Sequence, residues 1–83
     1  MNLVIEVPGT ESTQAVGQLA AQIRELDEIQ AVKLIPSKIS SVHEIWVETS
    51  DEANFMNNLS MLIRDAMLHA RVTLPGSNKS LPF

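Results

Sequence analysis

Residues 42–52, which read VHEIWVETSDE, decide the fold of this chain. Within them, residues 44–48 alternate polar or aromatic residues with apolar ones, and a period of two is typical of a strand with one buried face. Thr49 is followed three residues later by Glu52, a spacing that matches a capping box. The stretch therefore predicts a strand over 42–49, followed directly by a helix that continues to about residue 69.

The remaining elements follow from the same two periods. Val16, Leu19 and Ile23 recur at helical spacing, and Thr10 is the predicted N-cap of their helix. Gly17 lies inside this helix, where a close approach to the sheet would explain a residue that costs up to about 1 kcal/mol relative to alanine. The predicted strands are 2–7, 31–35, 42–49 and 71–74, and the predicted helices are about 11–27 and 49–69.

The predicted order is β-α-β-β-α-β. Right-handed crossovers then favour an α+β, ferredoxin-like arrangement, with a four-stranded antiparallel sheet and two helices on one face. We predict a single domain over 1–76 and a flexible C-terminal tail over 77–83. Many unrelated families share this arrangement, so the fold itself indicates little about function.

Composition narrows the class of protein. The chain has 83 residues, 45% of them hydrophobic, which allows one core in a globular domain. It has no cysteine, which excludes disulfides and thiolate metal sites, and a net charge of −4, which argues against nucleic-acid binding. The N-terminus lacks the pattern of a signal peptide and no stretch is long and apolar enough to span a membrane, so a cytoplasmic location is expected.

No constellation of residues indicates catalysis, a metal site or a cofactor. His43 and His69 have no partner at ligand spacing. Adjacent acids on a helix point in different directions, so we interpret Asp27–Glu28 as exposed and Asp51–Glu52 as part of the first turn of the second helix. We therefore favour a protein that is not an enzyme, and predict no catalytic residue and no cofactor.

The most informative pattern lies on the predicted sheet. If Ile45 and Val47 face the helices, Trp46 projects from the opposite, open face, close to Val4 on the neighbouring strand. The acidic residues predicted on the same face are Glu6, Glu44 and Glu48. Two alternatives stay open. The C-terminal tail (Leu81, Pro82 and Phe83) or the loop next to Trp46 partly covers the indole, or a shift of register turns it inward.

Two other segments are weaker candidates. The helical pattern predicts Met56 and Met67 beside the core stripe of the second helix. Met61 and Leu68 are predicted on its polar face, so apolar residues then surround most of its circumference. The loop Pro8-Gly9-Thr10 precedes a helix and could offer backbone amides to a small ligand. We rank this ligand site below the open face.

These observations favour a non-catalytic interaction or regulatory module that self-associates through its open sheet face, its second helix or both. The expected partners are a second copy of the chain, another protein, or both, and neither nucleic acid nor a membrane. The alternative is a small-ligand-sensing regulatory domain. A nucleic-acid-binding domain and a small enzyme rank lower.

Overall fold

The computed structural model describes residues 2–37 and 42–73, together with the backbone of residues 80–82. The elements are β1 Asn2–Pro8, α1 Thr13–Arg24, β2 Ile29–Ile35, β3 Val42–Thr49, α2 Glu52–Ala66, β4 Arg71–Thr73 and β5 Ser80–Pro82. The strands form one antiparallel sheet in the order β2-β3-β1-β4-β5. This confirms the α+β class, with two helices and an antiparallel sheet that contains the four predicted strands and adds β5.

The core lies between the sheet and the two helices. In the central pair of strands, Leu3 of β1 lies opposite Val47 of β3, and the inward row continues with Ile5 opposite Ile45. Both helices add their apolar stripes to the same cluster, so alternation along the strands and helical spacing in α1 and α2 converge on one core. Its largest members are Phe55, Leu3, Ile5, Leu19, Ile23, Ile45 and Leu59.

The helix α1 begins later than the sequence suggests. Ser12 is the N-cap, and its side chain accepts a hydrogen bond from the Ala15 amide at 3.1 Å. The prediction of Thr10 in this role is wrong, because Pro8 to Glu11 form a turn before the helix, with the Glu11 amide donating to the Pro8 carbonyl. The explanation offered for Gly17 is also wrong, since a Cβ atom built there has no neighbour within 4 Å.

The ends of α2 also differ from the prediction. Asp51 is the N-cap and accepts from the Asn54 amide at 3.1 Å, whereas the Thr49 hydroxyl donates to the Glu28 carbonyl at 2.9 Å. The helix ends at Ala66 and not near residue 69, because Met67 adopts a left-handed conformation with φ 57°. A residue in this conformation ends a helix and turns the chain away from its axis.

The two edges of the sheet are formed by different kinds of strand. β2 is a seven-residue edge strand, while β5 is a three-residue strand that pairs with β4 and contains Pro82. β5 is absent from the sequence prediction and lies within 77–83, the segment predicted as a flexible tail. Residues 77–79 and 83 of that segment lie outside the described residues, as does Leu74 at the end of the predicted strand 71–74.

Candidate functional site

The candidate contact surface, which we call the open face, is the side of the sheet that points away from the core. The strand register places its side chains in three rows that run across the strands. The central row contains Lys33, Trp46, Val4 and Thr73, the acidic row contains Ile35, Glu44, Glu6 and Arg71, and the third row contains Ala31, Glu48 and Asn2.

Trp46 dominates the central row. It lies on β3 between Lys33 and Val4, and 44% of it is exposed, while Ile45 and Val47 on either side of it are buried. The indole therefore projects from the open face, and the alternative in which it turns inward does not hold. A shallow groove of about 210 Å³ lies beside it, next to Lys33.

Val4 contributes less surface than its position suggests. It shares the central row with Trp46, yet its shorter side chain is buried. The apolar area that the open face offers to a partner therefore comes mainly from Trp46, with a smaller part from the half-exposed Ile35.

The C-terminal strand lies away from the indole. β5 is three strands removed from β3, which at the usual spacing of neighbouring strands is roughly 14 Å. The backbone of residues 80–82 therefore extends the sheet at its edge and does not pass over Trp46. Phe83, the last residue of the predicted tail, lies outside the described residues.

The acidic row holds two carboxylates side by side. Glu6 and Glu44 are directly opposite each other in the register of β1 and β3. Glu6 accepts a hydrogen bond from the Thr73 hydroxyl at 2.9 Å. Within residues 2–37 and 42–73, neither carboxylate has a basic side chain in ion-pair contact, although Arg71 is opposite Glu6 on β4.

Of the two contact residues predicted on the second helix, only Met61 is exposed. Met61 is 61% exposed, as expected for a residue on the outer face of α2. Leu68 is 7% exposed and belongs to the core, so its prediction as a contact residue is wrong. Met67, which the helical pattern predicts in the core, is 88% exposed. Both errors have one cause: the left-handed conformation of Met67 ends the helical periodicity and turns Leu68 inward.

His43 has a role that the sequence analysis did not identify. Its imidazole is buried near the start of β3, where Nδ1 accepts from the Ser37 amide at 2.8 Å. Nε2 lies 2.8 Å from the Glu11 carbonyl, and it donates to that oxygen because the other ring nitrogen is the acceptor. One ring thus connects the loop after β1 with the start of the loop after β2. The sequence could have predicted this burial, because His43 is two residues from Ile45 and therefore points to the same side of the strand.

Glu28 is buried, so the interpretation of this residue as exposed is wrong. Its side chain accepts a hydrogen bond from the Asn58 amide group of α2 at 2.8 Å. Its carbonyl accepts from the Ser50 amide and the Thr49 hydroxyl, both at 2.9 Å. These bonds join the start of β2 to the β3–α2 junction, which is a structural role.

The loop Pro8-Gly9-Thr10, predicted as a weak ligand site, is shaped by its own backbone. The Pro8 carbonyl accepts from the Glu11 amide at 3.0 Å, and the Glu11 carbonyl is bonded to His43. The first turn of α1 already has a capping side chain in Ser12. The loop is thus held by hydrogen bonds within the chain, and its ligand role stays a prediction.

Other kinds of site have no candidate in the part of the chain that the structure describes. Among these residues, no group of three His, Asp or Glu side chains is arranged to hold a metal ion. No helix in the described ranges is long and apolar enough to cross a membrane. No protein-family model matches the chain, and no curated protein is similar to it at a significant level. A functional proposal therefore depends on the geometry of the open face.

Proposed function

We propose that this protein is a non-catalytic interaction module that binds a protein chain through the open face of its sheet. The observation that carries the proposal is the exposed indole of Trp46, which lies in the middle of a face that neither helix covers. Tryptophan is enriched at protein contacts because its large apolar ring gains free energy when it is covered and loses little conformational freedom.

The free energy gained by covering Trp46 is modest. A tryptophan side chain buries up to about 250 Å², so covering the exposed 44% removes roughly 100 Å² from water. At about 25 cal/mol per Å², this corresponds to about 2–3 kcal/mol before the cost of association. One residue is therefore not enough for stable binding, and the neighbouring rows of the open face must also contribute.

The strand order supports the ferredoxin-like topology that the sequence predicts. Two β-α-β units with right-handed crossovers, joined in the ferredoxin-like way, give the order β2-β3-β1-β4. In such an arrangement both crossover helices cover one side of the sheet. We accordingly include the ferredoxin-like topology in the proposal. A cytoplasmic location is also part of it, and this is based on the absence of cysteine.

The occupant of the open face is a second copy of this chain or another protein, and self-association is tested first. Light scattering over a concentration series gives the mass of the wild type and of two variants, Trp46→Glu and Met61→Glu. Each variant places a carboxylate at an exposed apolar position, one on the open face and one on α2. Circular dichroism checks that both variants remain folded.

A dimer that Trp46→Glu dissociates and Met61→Glu leaves intact would support the open face as the contact surface, with a second copy as occupant. The reverse result would move the contact to α2 and refute the proposal. If the wild type is monomeric, the test is repeated with added protein segments. The fluorescence of Trp46 then shows whether a segment covers the open face. The proposal falls if the protein is monomeric and Trp46 also responds to no such segment.

A further inference from the structure

The acidic row of the open face contains two like charges in register. Glu6 and Glu44 face each other across β1 and β3, and directly opposed residues have Cβ atoms about 4.5–5.5 Å apart. Like charges at this separation repel each other. The Thr73 hydroxyl provides one hydrogen bond to Glu6 but no positive charge. The pair therefore offers its negative charge to whatever covers the indole beside it.

The basic residues of the face lie to either side of this pair. Lys33 is on the edge strand β2 in the central row, and Arg71 is on β4 at the end of the acidic row. Among the described residues, three carboxylates (Glu6, Glu44 and Glu48) and two cations give the open face a net charge of −1, with the negative charge concentrated on the two central strands.

A second copy of the chain fits this charge pattern poorly. If two open faces pack with the two-fold axis along the strands and between Trp46 and Val4, Glu44 lies over Glu6 of the second copy, and four carboxylates meet. With the axis across the strands, Glu44 lies over Glu48 of the second copy. Either arrangement removes facing carboxylates from water, which costs several kcal/mol per group. The nearest described cation is Arg71 at the end of the acidic row, which offsets only part of that cost.

We infer that the open face binds another protein, through a segment that presents a basic side chain next to an apolar one. This inference rests on the proposed function and specifies the chemistry of the partner. Glu6 and Glu44 each lie two residues along their strands from Val4 and Trp46, a distance of about 6.6–6.8 Å. An extended segment with alternating basic and apolar residues on one face matches this spacing, with the cation over the carboxylates.

The chain provides its own reporter for the test. Trp46 is the only tryptophan and there is no tyrosine, so the intrinsic emission comes from the open face. The probe is a peptide that repeats Lys-Ser-Leu-Ser, and the matched control peptide repeats Glu-Ser-Leu-Ser. Neither peptide contains an aromatic residue, so a blue shift of the emission reports that the indole is covered.

We expect the basic peptide to shift the Trp46 emission and the acidic peptide to leave it unchanged. The double variant Glu6→Gln with Glu44→Gln should lower the affinity for the basic peptide about fivefold, because exposed ion pairs contribute about 0.2–1 kcal/mol each. It should be at least as stable as the wild type, since it removes a like-charge pair. Glu25→Gln with Asp65→Asn removes the same charge from exposed helix positions and should change binding less than twofold.

Equal binding of the two peptides would refute the inference. So would equal weakening by both double variants, because attraction to the overall charge of −4 would then explain the binding. If the protein forms a dimer that Trp46→Glu dissociates and shows no preference for the basic peptide, the proposed function stands and this inference falls. If the protein is monomeric and neither peptide affects Trp46, both fall.

Discussion

Replacing Gly17 with alanine tests how α1 lies on the sheet. The glycine is in the middle of a helix that runs from Thr13 to Arg24. A Cβ atom at this position has no neighbour within 4 Å, so the added methyl group meets no other side chain and no strand. The substitution therefore changes the intrinsic preference for helix and leaves the packing of the core as it is.

The expected change in the free energy of unfolding follows from this open environment of Gly17. Glycine in a helix interior is about 0.8–1 kcal/mol less favourable than alanine, and the gain comes largely from reduced freedom of the unfolded chain. We expect Gly17→Ala to raise the free energy of unfolding by about 0.5–1 kcal/mol. For a domain of this size that corresponds to an increase in Tm of about 2–8 °C.

Urea denaturation followed by circular dichroism at the helix band measures this change. The midpoint should rise while the m-value stays constant, because the surface exposed on unfolding is almost the same. Ala21→Gly, at an exposed position of the same helix, is the matched control and should lower stability by a similar amount. A Gly17→Ala protein less stable than the wild type would refute the open environment and restore the close approach that the sequence suggested.

Four further substitutions test single positions in β3, in α2 and just after α2. Met67→Gly should raise stability by about 0.5–1 kcal/mol in thermal unfolding, because a left-handed conformation strains every residue with a Cβ atom; a decrease would contradict the conformation described. His43→Ala should lower the free energy of unfolding by about 2–4 kcal/mol, since it removes two hydrogen bonds and a buried ring; a loss below about 0.5 kcal/mol would show that the ring does not hold the loops. Leu68→Ala should cost about 2–3 kcal/mol and Met61→Ala less than about 0.5 kcal/mol, and equal effects in urea titrations would place Leu68 on the surface.

The sequence predicts the strands well because alternation is geometric. Successive side chains of a strand point to opposite faces, so the inward position of Ile45 fixes Trp46 on the open face and Val47 in the core. The same parity, applied one step earlier, predicts a buried His43. Its two partners, however, come from loops that only the folded chain brings together.

The ends of the helices are harder to predict because several neighbouring residues can serve as caps. Thr49 and Asp51 both have side chains that cap helices, and the choice between them depends on Glu28, whose carbonyl accepts from the Thr49 hydroxyl. The end of α2 has no glycine or asparagine to mark it. A helical pattern continued through Met67 therefore assigns Leu68 to the wrong side, and this changed the expected contact surface on the second helix.

The position of His43 has a consequence for motion. Glu11 and Ser37 belong to different loops, and this imidazole bonds to the backbone of both, so thermal opening of one loop strains the anchor of the other. The two loops should consequently exchange their amide protons as one cooperative unit. A molecule that settles on Pro8-Gly9-Thr10 would then stiffen the outer end of β2 as well, far along the chain but next to it in space.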